Sequence, residues 1–129
     1  MQANLVLELL ECYPEVFLRP DEARFELDCG DGWYSIIETL CCLMAEMNRR
    51  EGQHPTYLQS VKEKLGTVRI LVSGRTPEAH AWITFAEHHS ARTCELCGGH
   101  GRLLLTEGWQ RVRCEIHLSY RITDILRCT

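Results

Sequence analysis

The sequence predicts an α+β fold: a small helix and hairpin body over residues 1–92, then a cysteine-rich module over residues 93–129 packed on it. Three observations carry that reading. Apolar side chains recur at three- and four-residue steps from Trp33 to Met47, the spacing of one helix face. Two strand-like stretches flank Gly66, and Val68, Ile70 and Val72 share one face of the second. Four ligand-type side chains stand as two short pairs, Cys94/Cys97 and Cys114/His117.

In chain order, Leu5, Val6, Leu9 and Leu10 form the apolar stripe of a first helix that Tyr13 continues. Pro14 disfavours helix at Tyr13 and ends the element. Pro20-Asp21 reads as a turn. Arg24–Cys29 alternates as a half-buried strand with Phe25, Leu27 and Cys29 inward. Gly30-Asp31-Gly32 breaks it, since two glycines around an aspartate favour a tight turn. The next helix carries Trp33, Ile36, Ile37, Leu40, Met44 and Met47 inward, with Asp31 placed to cap it or favour its dipole. A polar loop over Asn48–Pro55 leads to the hairpin of Tyr57–Leu65 and Thr67–Val72. Lys62, Glu63, Lys64 and Arg69 are expected on its solvated side. Thr76-Pro77-Glu78 is a helix start, with a threonine N-cap, proline in the first turn and an acid near the dipole. Ala79, Trp82, Ile83 and Ala86 form the apolar face of that helix, which Phe85 widens.

Composition narrows the classes. With 129 residues, 45% hydrophobic and 25% charged, the chain has the make-up of one soluble globular unit. No apolar run is long enough to span a bilayer, and no basic region precedes an apolar stretch near Met1, so a cytosolic protein without membrane contact is expected. A reducing compartment argues against four disulfides among eight cysteines. Cys12, Cys29, Cys41, Cys42 and Cys128 are read instead as small buried hydrophobes. Residues 1–90 hold 8 basic and 14 acidic side chains, residues 91–129 hold 6 and 4. An acidic body with a mildly basic end argues against nucleic-acid coating by the whole chain and leaves room for a local contact.

The two short pairs define a metal site. Two thiolates two residues apart can point at one ion, and Gly98-Gly99 let the backbone turn beneath it. Cys114 and His117 repeat the spacing with imidazole as the fourth ligand. Cys94, Cys97, Cys114 and His117 therefore fill a tetrahedral Zn²⁺ and leave no position for a substrate water, the pattern of one structural zinc. His100 is the rival for the fourth position, but it crowds the tetrahedron so close to Cys97. Arg102–Thr106 and Gln110–Arg113 pair as strands across Glu107-Gly108-Trp109. The second ligand pair opens a helix through Leu118, Ile122, Ile125 and Leu126. Knuckle, hairpin and helix in that order predict a treble-clef-like zinc finger.

Function is less legible. Arg102, Arg111 and Arg113 around the finger hairpin, with Trp109 at its tip, are the best nucleic-acid contact, because arginine meets phosphate and tryptophan stacks a base. Catalysis has no support: hairpin 102–113 holds no histidine, and no phosphate loop or Ser/His/Asp order stands out. His88-His89 complements a helix C-terminus, and Asp28–Trp33 lacks the glutamate that closes a calcium loop. The roles of Cys29, Cys41, Cys42 and Cys128 beyond packing are not readable.

Several segments together resemble a family of small, mostly uncharacterised proteins of bacterial genomes, phages and prophages. They are Tyr13–Phe17, Cys29-Gly30-Asp31-Gly32-Trp33-Tyr34, Val61-Lys62-Glu63-Lys64-Leu65-Gly66, Ala86-Glu87, Ser90–Gly98, Gly108-Trp109 and Cys114–His117. Leu65–Ile70 departs from the family pattern, which more often carries Phe, a second Gly and further aromatics. The resemblance implies no chemistry of its own. Its phage setting implies a protein partner, in the manner of small acidic inhibitors that block a host protein or defence complex. The first expectation is thus a non-enzymatic, zinc-binding protein-interaction module. A nucleic-acid-binding regulator using the finger hairpin is the second, and an enzyme the third.

Overall fold

The computed structural model describes residues 1–17, 25–106, 108–118 and 125–127. The turn expected at Pro20-Asp21 lies outside them, as do Ile122 and Cys128. The chain is α+β, and its described residues form two three-stranded sheets.

Helix α1 (Ala3–Cys12) buries Leu9 and half-buries Leu5 and Val6. Leu10 is exposed, so the apolar stripe is narrower than its spacing suggests. Proline at position 14 starts a new turn, α2 (Pro14–Phe17), which buries Val16. Strand β1 (Glu26–Asp28) exposes both end residues and turns Leu27 inward. It lies parallel to β2 (Tyr57–Lys64), with Leu27 opposite Val61. A 3-10 turn over Asp31–Trp33 runs directly into α3 (Tyr34–Asn48). Asp31 does not cap α3. Its Oδ1 accepts the backbone N–H of Gln2 at 2.8 Å, tying the start of α1 to this loop. Tyr34 donates to Glu8 at 2.7 Å and Tyr13 to Glu38, so α1 and α3 are joined twice.

Strands β2 and β3 (Thr67–Ser73) form the expected hairpin. Its turn needs positive φ at two successive residues, and Leu65 (54°) and Gly66 (87°) supply them. That is the primed turn whose twist matches the strands, although leucine is an uncommon occupant. Lys62, Lys64 and Arg69 are solvated as expected, with Lys62 paired to Glu26 at 2.6 Å. Helix α4 (Pro77–Ser90) begins as its sequence dictates: Thr76 Oγ1 accepts the Ala79 N–H at 3.1 Å. Ala79, Ile83 and Ala86 are buried, but Phe85 is 71% exposed, because its Cα direction falls outside the face that meets α3 and β3. Helix α4 also covers the outer edge of β3. Ser90 Oγ accepts the Val68 N–H at 2.9 Å and Glu87 Oε2 the Ile70 N–H at 3.3 Å.

The core of the body packs Trp33 of the 3-10 turn, Ile37 and Met44 of α3 and Ile83 of α4 against Leu58, Val61 and Val68 of the sheet. Cys29 and Cys41 belong to it, as read from sequence. Cys12 is exposed and Cys42 only half-buried, which corrects their assignment as buried hydrophobes.

The second sheet has the order β5-β4-β6. Strand β4 (Arg102–Thr106) pairs antiparallel with β5 (Trp109–Arg113) on one side. On the other it pairs antiparallel with β6 (Ile125–Arg127), Leu105 opposite Leu126. Among the described residues, helix α5 covers Glu115–Leu118. The helix expected through Ile125 and Leu126 is therefore corrected: those residues are strand. Two adjacent apolar residues fit either period, and the open edge of β4 supplies the backbone partners that decide between them. No helix among the described residues is long and apolar enough to cross a membrane.

Candidate metal centre

Cys94 and Cys97 sit on a tight knuckle between α4 and β4. The Gly98 N–H donates to Cys94 O at 2.9 Å and the Cys94 N–H to Gly99 O at 2.8 Å. Gly98 holds φ at +80°, the left-handed conformation that lets the chain reverse under the two thiols. The Gly99 N–H points at Cys97 Sγ, 3.4 Å away. Cys114 directly precedes α5 and His117 lies in its first turn, so the three-residue step places both on one side.

The four side chains converge. Their ligand atoms all lie within 4.8 Å of one another, the arrangement of a single metal site. Cys97 and Cys114 are 3.6 Å apart, sulfur to sulfur. His117 presents Nδ1, 3.5 Å from Cys94 Sγ and 3.1 Å from Cys114 Sγ. Cys94 is buried and Cys97 exposed, so the site lies at the surface with one face sealed. Backbone N–H groups at the start of α5, that of His117 foremost, hold the Cys114 thiol down to about 6. His100 is not in the cluster. It is exposed and its backbone bridges Thr93.

The body holds the knuckle in place through the loop at Gly30–Trp33. Glu95, between the two thiols, is buried. Its carbonyl accepts the Gly32 N–H at 2.7 Å, and its Oε2 accepts the Gly30 N–H at 2.9 Å. The Trp33 indole donates to the Thr93 carbonyl at 2.9 Å. A Cβ on Gly30 would lie 2.3 Å from Glu95 O, and one on Gly32 2.1 Å from Cys94 O. Neither glycine has positive φ. They are needed for close approach rather than for the tight turn that their spacing suggests. Glu95, Gly30, Gly32 and Trp33 are thus positioning residues of the candidate metal centre. The Gly-Asp-Gly-Trp run was the visible signal, but nothing in one sequence says which segment lies against it.

The two hairpins also meet. A Cβ on Gly66 would lie 2.5 Å from the Leu103 side chain. The three arginines of the finger hairpin face carboxylates: Arg111 pairs with Glu63 at 3.1 Å, Arg113 with Glu95 at 3.7 Å and Arg102 with Glu115. Arg111 also lies over the Trp109 ring, 5.4 Å from its centroid, while Trp109 itself is 64% exposed. The residues singled out as a nucleic-acid contact are therefore gathered on and beside one hairpin, with their charges largely matched. Compared with known proteins, the chain matches no family model, no curated protein and no solved structure.

Proposed function

We propose that this chain is a zinc-stapled module that binds another protein through the tip where its two hairpins meet. Three thiolates and one imidazole are a soft donor set that suits Zn²⁺. A tetrahedral ion with Zn–S bonds of about 2.3 Å sets sulfurs about 3.8 Å apart, close to the 3.6 Å between Cys97 and Cys114. Four protein ligands leave no open position, so the metal's role in this reading is structural.

The observation that carries the interaction reading is the surface around Trp109. Trp109 and Leu65, both more than 60% exposed, share a shallow cleft with Lys64 and Gln110. Arg111 stacks beside them. Tryptophan and arginine next to an aliphatic anchor are the side chains that dominate protein interfaces. A phosphate backbone, by contrast, would have to compete with Glu63, Glu95 and Glu115 for the three arginines. The narrower expectation, a small phage-type inhibitor of a host defence complex, rests on the family resemblance alone.

A photo-crosslinking side chain at position 109, introduced in cells of the natural source, tests the reading. A discrete adduct that protease removes and nuclease does not is the expected result. A nuclease-sensitive adduct, with oligonucleotide affinity that falls steeply with salt and is lost in Arg111→Ala, overturns it in favour of a nucleic-acid-binding regulator.

A further inference from the structure

A second surface stands apart from the hairpins. Between α3 and α4 lies a groove of about 260 Å³, lined by Ile36, Leu40, Leu43, Trp82 and Ala86 with two hydroxyls and His89 at its margins. Among the described residues, no lysine, arginine or carboxylate lines it. Phe85 stands on its lip.

The two helices run antiparallel. Ser35, early in α3, lines the groove with His89, late in α4. At the other end Arg50, just past α3, pairs with Glu78 in the first turn of α4 at 2.8 Å. This sets the charges at the two ends of the face. Glu46 follows Ser35 by eleven residues, about 20° around the helix and roughly 16 Å along it, so it extends the row of Ser35 and Thr39. Arg92 lies beyond the opposite end, lining the adjoining cleft with Ser35 and His89. Both side chains are exposed, and neither forms an ion pair among the described residues.

A free acid at one end, a free base at the other and an apolar groove between them make a face complementary to its own two-fold copy. We propose that a second copy of this chain occupies it. A two-fold axis through the middle of the groove sets each Phe85 into the groove of the other copy and each Glu46 opposite the other's Arg92, the reciprocal contacts of an isologous dimer. The Trp109 surface, at the tip where the two hairpins meet, shares no lining residue with this groove, so this dimer and the proposed partner stand or fall separately.

Sedimentation of the metal-loaded full chain over a concentration series tests it. Mass should move from monomer to dimer, and Phe85→Glu, a change at an exposed position that leaves the core intact, should weaken the dimer about tenfold or more. Glu46→Arg and Arg92→Glu should each weaken it, because each sets like charges opposite one another twice. The double variant E46R/R92E should restore it, which a foreign partner of fixed charge could not do. A wild-type chain that stays monomeric, a dimer indifferent to Phe85→Glu, or a double variant no better than the singles overturns the proposal.

Discussion

Adding one methyl group at Gly32 should do more damage than its size suggests. The new Cβ would sit 2.1 Å from the Cys94 carbonyl oxygen and 2.6 Å from two backbone atoms of Glu95, where ordinary contact begins near 3.4 Å. Backbone cannot rotate away as a side-chain tip can, so loop and knuckle must part by more than 1 Å. That separation breaks the Gly32 to Glu95 hydrogen bond (2.7 Å) and loosens the one from Trp33 to Thr93 (2.9 Å). Each leaves buried polar groups unmatched at about 1–3 kcal/mol, so Gly32→Ala is expected to cost about 3–5 kcal/mol. Against a total stability of about 5–15 kcal/mol this is a large loss. Urea unfolding of the metal-loaded protein measures it. Gly52→Ala is the control: φ there is +77° with nothing within 4 Å of the added Cβ, so only backbone strain of about 1 kcal/mol is expected. A Gly32→Ala midpoint within about 1 kcal/mol of that control, at equal m-value, would show that the loop does not clamp the knuckle.

Cys94→Ser or Cys114→Ser should drop bound metal from one ion per chain to none and unfold the finger, read by elemental analysis and by circular dichroism before and after chelation. A metal-free protein with an intact finger would refute the ligand assignment. Alkaline pH should destabilise the body. Burial raises the Cys29 and Cys41 thiols from 9.0 to about 12. The unfolded chain therefore loses these protons first, and stability present below pH 9 falls between pH 9 and 12 by up to about 1.4 kcal/mol per pH unit for each thiol. Cys41→Ala should make that slope shallower in urea midpoints taken across the range, and an unchanged slope would refute it. Thr76→Ala removes the N-cap bond of α4 and should cost about 1 kcal/mol, visible as a lower thermal midpoint.

What the sequence revealed, it revealed through local chemistry. Thr76-Pro77-Glu78 announces a helix start because cap, proline and acid act within one turn. The convergence of Cys94, Cys97, Cys114 and His117 is legible because two short pairs need no knowledge of the intervening fold. The spacing of Trp33–Met47 gives its buried face for the same reason. Long-range partners were not legible. Ile125 and Leu126 read as helix because their strand partner is β4, twenty residues earlier. Gly30 and Gly32 read as turn formers because the peptide they press against lies beyond α4. Phe85 fits an apolar helix face by periodicity alone, yet the packing angle of α4 leaves it in solvent. The arginines of the finger looked like a basic patch until Glu63, more than forty positions away, was found beside Arg111.

The clamp between loop and knuckle also orders events during synthesis. The Gly30 N–H and the Glu95 carboxylate that it meets are 65 positions apart. At about 5–20 residues per second, roughly 3–13 s separate their emergence from the ribosome. Through that interval α3 can form and pack its tryptophan end only loosely, since the Trp33 indole has no carbonyl to meet until Thr93 arrives. The last third of the chain then closes the first third, and an ion held by Cys94, Cys97, Cys114 and His117 would fix an acceptor for a helix made seconds earlier. A metal bound there would thus bear on the maturation of the whole chain, not of its C-terminal finger alone.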